Sequence, residues 1–262
     1  MIDTRPLGEL VERAAIRGHR AVVDSASSIA PGLGAEIIEI AGGRAPFAGV
    51  GSPLSEAGAL GVFSAATAAD VERLTAFYTG HSTPPRVLVS PLAGIELPQL
   101  LASAGYRPIE LQNVLVRELT QGEFERDPRV TEIADPWTWA AASARGFLDG
   151  EASREDALVA AIVAAVPNVG ALAVERDGII VAAAAMEVDG ECLSLFAAST
   201  IPPARGQGWH TALIRDRLAR GYEAGARIAR VSAAIASRSE RNFRRLGFGV
   251  LFSRTVWERP LA

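Results

Sequence analysis

The residue types able to do chemistry gather at Arg205-Gly206-Gln207-Gly208-Trp209-His210. Two glycines this close let the backbone turn tightly and approach a ligand. If a helix starts here, the amides of the loop and first turn have no internal partners. With the helix dipole they form a seat for an anion, typically a phosphate. An arginine at the head of the loop adds a charged donor. A nucleotide P-loop needs a lysine after its second glycine, and all 26 basic residues of the chain are arginine. A dinucleotide fingerprint needs a third glycine and an acidic residue closing the next strand. Position 211 is Thr211, and the next strand ends in serine and alanine. Both nucleotide readings fail, and a plain glycine corner is the alternative for an isolated G-x-G.

The flanking elements place this loop. Leu193–Thr200 reads as an apolar strand entering it, and Thr211–Leu218 as part of an amphipathic helix leaving it. Next comes the strand Ile228–Ser232, then Ser237-Arg238-Ser239-Glu240-Arg241-Asn242-Phe243-Arg244-Arg245-Leu246-Gly247-Phe248 as a late helix. Upstream, Asp135-Pro136 caps a helix carrying Trp137, Ala140, Ala141 and Phe147, and Ser153–Val166 reads as a second helix. Ala171–Glu175 and Ile179–Val188 form a hairpin about Asp177-Gly178.

The loop, with the strand before it and the late helix ending in Gly247-Phe248, resembles the acetyl-CoA site of the GNAT superfamily of N-acetyltransferases. In its pattern Arg/Gln-x-x-Gly-x-Gly/Ala, Arg205 and Gly208 match and His210 departs from the usual small residue. Pro202 precedes Arg205 by three residues, as in many members. The resemblance covers residues 130–259 and implies acetyl-CoA as cosubstrate, with no metal. It implies that Ala198, Ser199 and Thr200 offer backbone groups to the pantetheine arm, one amide serving as oxyanion donor. It assigns the pyrophosphate to the amides of Gly206, Gln207, Gly208, Trp209 and His210, with Arg205 adding charge. Trp209 is expected to pack beneath the loop, and His210 either to face the phosphates or to pack. Ser239, Asn242 and Phe243 fall where the late helix meets the lower part of CoA. Many members carry a tyrosine as general acid where this chain has Phe243, so the acid is missing. Glu191 is the candidate base, since alternation sets it on the face of Leu193 and Leu195; a solvated hairpin end is its other reading. Trp137 and Trp139 either wall an acceptor pocket or fill core.

The first part of the chain repeats the pattern without the loop. At a constant shift of 142 residues, Val89-Ser90 falls on Val231-Ser232 and Gly105-Tyr106 on Gly247-Phe248, while Val114 and Arg117 fall on Val256 and Arg259. Helices are expected near 5–20, from Asp70 as N-cap through Val71, Leu74 and Phe77, and over Leu97–Ala104; strands over Ala35–Ile40, Arg86–Ser90 and Asn113–Glu118. Where a phosphate loop belongs stands Gly61–Asp70, with no arginine, no closely spaced glycines, and an aspartate that repels phosphate. The expected fold is α/β in layers: two GNAT-like domains in tandem, 1–120 degenerate and 121–262 cofactor-binding. Each is a mixed, mostly antiparallel central sheet flanked by helices, and one cofactor is expected per chain.

Composition agrees with a globular chain: 262 residues, 49% hydrophobic and 21% charged. A net charge of −4 argues against nucleic acid as partner, and no apolar run is long enough for a membrane span. The single Cys192, with no signal peptide, suits a reducing cytoplasm. His19, His81 and His210 lack metal-ligand spacing. The function expected from the resemblance is an acetyl-CoA-dependent N-acetyltransferase. It would act by direct attack of the amine of a small-molecule or amino-acid-like acceptor, as monomer or homodimer. The alternative is a non-catalytic acyl-CoA sensor of the same fold.

Overall fold

The computed structural model describes residues 4–261. Its elements are α1 (Arg5–Ile29), β1 (Glu36–Ile40), β2 (Gly43–Phe47), α2 (Ala68–Gly80), β3 (Arg86–Val89), α3 (Glu96–Ser103) and β4 (Arg107–Glu118). There follow β5 (Val130–Glu132), α4 (Pro136–Leu148), α5 (Leu158–Ala164), β6 (Val169–Arg176), β7 (Ile179–Asp189), β8 (Cys192–Thr200), α6 (Trp209–Glu223), β9 (Ile228–Ala234), α7 (Arg238–Arg245) and β10 (Gly249–Glu258). None of the described helices is long and apolar enough to cross a membrane.

Two compact units result. The first holds residues 1–115, 232–241 and 249–262; the second holds 116–231 and 242–248. The sequential halves 1–120 and 121–262 therefore differ from the units in the placing of residues 116–120, of residues 232–241 and of the last strand. In the first unit the strands run β3-β10-β4, with β10 in the middle, beside the separate hairpin β1-β2. Thr255–Glu258 pair antiparallel with Val89–Arg86, and Arg86 Nε donates to Glu258 Oε2 at 2.6 Å. The unit's core gathers Ile40, Leu60, Leu74, Tyr78, Val87, Leu101 and Tyr106. Helix α1 continues past residue 20 because Val23 and Ala26 extend its buried stripe. β2 lies in a stretch whose glycines and proline read as a loop; its Ala45, Pro46 and Phe47 are buried.

α2 begins one turn differently from the sequence expectation. Thr67, not Asp70, is the N-cap: its hydroxyl accepts from the Asp70 amide, and Asp70 Oδ2 accepts from the Thr67 amide. This is a capping box, which satisfies two of the orphan donors at a helix start.

In the second unit the strands run β5-β6-β7-β8-β9. The β6–β7 hairpin turns through Asp177 and Gly178, both at positive φ (53° and 77°), as a tight two-residue turn requires. Every residue from Val181 to Met186 is buried, so both faces of β7 are covered; its alanines admit α4 and α6. The second expected helix shortens to Leu158–Ala164, because Ser153 and Asp156 bond one another in a turn before it. Cys192 is fully buried, and burial raises its thiol pKa. The shift of 142 residues persists in the structure: Glu96 and Ser103 bound α3 where Arg238 and Arg245 bound α7.

Candidate functional site

Strand β8 carries two departures from a regular ladder, both near its C-terminal end. Against β7, Phe196 pairs with Ala185 and Ser199 with Ala183, so Ala197 and Ala198 together oppose Ala184. Ala197 takes a left-handed conformation, φ 49°, which costs an L-residue with a Cβ about 1–2 kcal/mol. Such a bulge bends the strand and re-aims its amides. On the other edge, β8 pairs in parallel with β9 from Cys192–Ile228 to Ser194–Arg230, and the ladder ends there. The backbone beyond Ser194 thus has an open edge just where the bulge lies.

After β8 a short turn at Pro202–Ala204 delivers the glycine loop. Gly206 and Gly208 have φ of 77° and 85°, and a Cβ on either would meet nothing within 4 Å. Open space therefore lies over both glycines. Gly208 is the N-cap of α6, and no side chain caps that helix. Among the described residues the amides of Gly206, Gln207 and Gly208 have no acceptor. These donors stand together at the positive end of a 15-residue helix.

The side chains of the loop mostly brace it. Arg205 Nε donates to the Thr200 carbonyl and Nη2 to the Gly146 carbonyl, both at 3.0 Å, and Nη2 also pairs with Asp149. Its guanidinium thus ties the loop to β8 and the end of α4, rather than standing free over the glycines. Gln207 donates to the Pro203 carbonyl and accepts from Trp209 Nε1. Trp209 is buried beneath the loop, with Arg129 and Arg176 against its ring. His210 turns inward to pack. Asn242 Nδ2 donates to its Nδ1 at 3.1 Å, and Phe243 meets its ring edge-on at 6.0 Å. Burial, helped by the Arg217 charge, lowers the His210 pKa to about 4. The ring is then neutral at pH 7, with its proton on Nε2.

Several expected site residues stand elsewhere. Glu191 is exposed in the turn before β8, six residues from the bulge and so about 20 Å away along the strand. At that distance it is no neighbour of the bulge. Trp139 is fully buried and donates to the Leu172 carbonyl, so it is core. Trp137 packs between α4 and α5 under the Arg154 guanidinium, 3.7 Å from its ring. Ser199 Oγ donates to the Ser143 carbonyl on α4 rather than presenting itself on the open edge. Phe243 is buried against His210 and Phe248, and no hydroxyl exists there to protonate a leaving group. Ser239 lies half-buried on α7.

Two residues escaped sequence reasoning. Arg217 is fully buried; its Nη1 donates to the carbonyls of Ala185 (2.8 Å) and Phe196 (3.4 Å), the pair at the start of the bulge. Burial lowers its pKa to about 9, opposed by Asp216, so it stays cationic at neutral pH. A signal existed, because Arg217 sits on the apolar stripe of α6 with Leu213 and Ile214. Gly146 is the second. A Cβ there would stand 2.5 Å from Ser199 Oγ and 3.0 Å from the Thr200 amide, so only glycine lets α4 reach the strand.

No family model and no curated protein matches the chain. Solved structures do. A GCN5-related N-acetyltransferase from Kribbella flavida aligns over 92% of this chain and 96% of its own, at 19% identity and a TM-score of 0.64. A tandem GNAT protein from the clavulanic acid biosynthesis pathway covers 84% of this chain and 79% of its own, at 13% identity and TM-score 0.56. A GNAT-family acetyltransferase from Colwellia psychrerythraea covers 98% and 97%, at 14% identity and TM-score 0.51. With its bulged strand, glycine loop and uncapped helix, the chain has the fold of the GNAT acetyltransferases, including one built in tandem.

Proposed function

We propose that the second unit binds acetyl-CoA and transfers its acetyl group to the amine of a small-molecule or amino-acid-like acceptor. The observation that carries this reading is the uncapped start of α6 behind two left-handed glycines, directly after a strand bulged at Ala197. The loop and first-turn amides fit a pyrophosphate. The open edge of β8 beyond Ser194 can pair with the amides of a pantetheine arm, and the bulge amides stand ready for a carbonyl oxygen that gains charge. Acetyl-CoA supplies the activated thioester. Arg217 holds the carbonyl side of the bulge and so fixes where those amides point. With Glu191 away from the bulge, the acceptor loses its proton to solvent, and the rate should rise with the fraction of free amine.

The first unit supports a single cofactor per chain. Its equivalent helix α2 closes its own N-terminus with Thr67 and Asp70 and puts a carboxylate where phosphate would lie. Isothermal titration with acetyl-CoA should give one site per chain. Thiol release should follow with some member of an amine panel, and Gly208→Val should abolish both. Absence of binding together with absence of thiol release overturns the reading; two sites per chain overturns its single-site part. A second reading, a non-catalytic acyl-CoA sensor, draws on the buried phenyl ring of Phe243. Binding without turnover on any amine would favour it.

A further inference from the structure

We propose that the first unit carries an anion-binding cavity of its own, lined by Arg13, Arg17, Arg44 and Arg73, that takes a small molecule bearing a phosphoryl group. The cavity measures about 450 Å³, within the range of small-molecule sites. Three separate elements converge on it: α1 gives Arg13 and Arg17, β2 gives Arg44, and α2 gives Arg73. Arg13 and Arg17 are four residues apart and share a helix face. Ile16, Ile40 and Phe63 supply apolar lining.

The charge balance is the argument. Apart from Arg17, the three guanidiniums of Arg13, Arg44 and Arg73 meet one lining carboxylate, Glu39, whose side chain is 75% exposed and whose contact with Arg44 is a long 3.4 Å. This gathering occurs in a chain with more acidic than basic residues, 30 against 26. Like charges brought together repel, and no ion pair engages Arg13 or Arg73 among the described residues. Two of the guanidiniums are nevertheless held in place. Arg13 lies over the Phe63 ring at 4.2 Å, and Arg44 Nη1 donates to the Ile16 carbonyl at 3.2 Å. A monocarboxylate is satisfied by one arginine fork, whereas a phosphoryl dianion offers three oxygens and a second charge to several forks. The phosphoryl group could be free phosphate or part of an ester; the apolar lining favours an ester with a carbon body.

The cavity is independent of the glycine loop, and its test keeps the two apart. Full-length Gly208→Val, whose glycine loop is closed without adding CoA (itself a phosphate monoester), is titrated beside the wild type with inorganic phosphate, with glycerol phosphate as monoester, and with citrate as a carboxylate control. The expected result is one equivalent of glycerol phosphate bound, more tightly than phosphate or citrate, with affinity falling as salt rises. Bound ligand should also raise Tm. Arg13→Gln with Arg73→Gln should weaken binding at least tenfold and leave CoA binding unchanged. Both side chains are exposed, so the variant should fold, and Arg73→Gln alone provides a milder version. Phosphoryl binding that survives in the double variant, or that citrate matches, overturns the proposal, as does no binding to the wild type. If CoA itself fails to bind, the glycine-loop reading falls, and the comparison of wild type with Arg13→Gln/Arg73→Gln still decides this one.

Discussion

Burial keeps His210 neutral, and that has a consequence for stability. The group titrates at about 4 in the fold because its ring is desolvated and Arg217 lies near, against about 6.5 in an unfolded chain. Between those values the unfolded chain takes up a proton that the folded chain refuses. The contribution is complete above pH 6.5 and is lost as pH falls through the window to 4, by up to about 3 kcal/mol. Thermal melts from pH 7 to 4 should therefore show a steeper fall for the wild type than for His210→Gln. Equal slopes would exclude a neutral buried His210. Of the residues in the loop, the burial of Trp209 followed from the family resemblance, while Gly206 and Gly208 were legible from type and spacing. The inward turn of His210 was not, because its partners Asn242 and Phe243 lie more than thirty residues away and only the fold brings them together.

At the level of elements, the second unit depends on how closely α4 approaches β8. Gly146 is the point of contact, and adding a methyl there would set it 2.5 Å from Ser199 Oγ. Glycine to alanine inside a helix is ordinarily favourable by about 0.5–1 kcal/mol. Here overpacking of about 1–3 kcal/mol reverses the sign. Gly146→Ala should lower Tm and raise KM for acetyl-CoA, since the displaced residues follow the bulge directly. Adding Ser199→Gly should recover much of both. If the pair shows no recovery, that contact is not the cause. The two comparable helices also differ at their starts. α2 consumes its first amides in a capping box, while α6 begins on a glycine with no side-chain cap. One helix is built for its own stability and the other leaves donors for a ligand.

For the whole molecule, the course of the chain matters more than its halves. β10 ends the sequence, yet it is the central strand of β3-β10-β4 in the first unit. A fragment 1–120 lacks that strand, leaving β3 only its single bridge from Val87 to Ala57 and Arg86 without Glu258. It should show no cooperative melt, because unpaired buried backbone groups each cost about 1–3 kcal/mol. A fragment fused at its end to residues 249–262 should recover one. A cooperative melt from 1–120 alone would refute the assignment of β10 to this unit's sheet.

The sequence by itself determined what local chemistry decides. Glycine spacing marked the loop, the Asp177-Gly178 turn marked a hairpin, and the shift of 142 residues marked the repeated strand–helix–strand. Each depends on backbone sterics or periodicity within a few neighbours. Only the tertiary structure decided which unit β10 joins, since pairing between distant strands depends on burial and register across the whole chain. It also set Glu191 away from the bulge, made Trp139 core, and put Arg217 behind the bulge. Those roles follow from where a strand ends and what a helix packs on, and neither is written in a residue's own type.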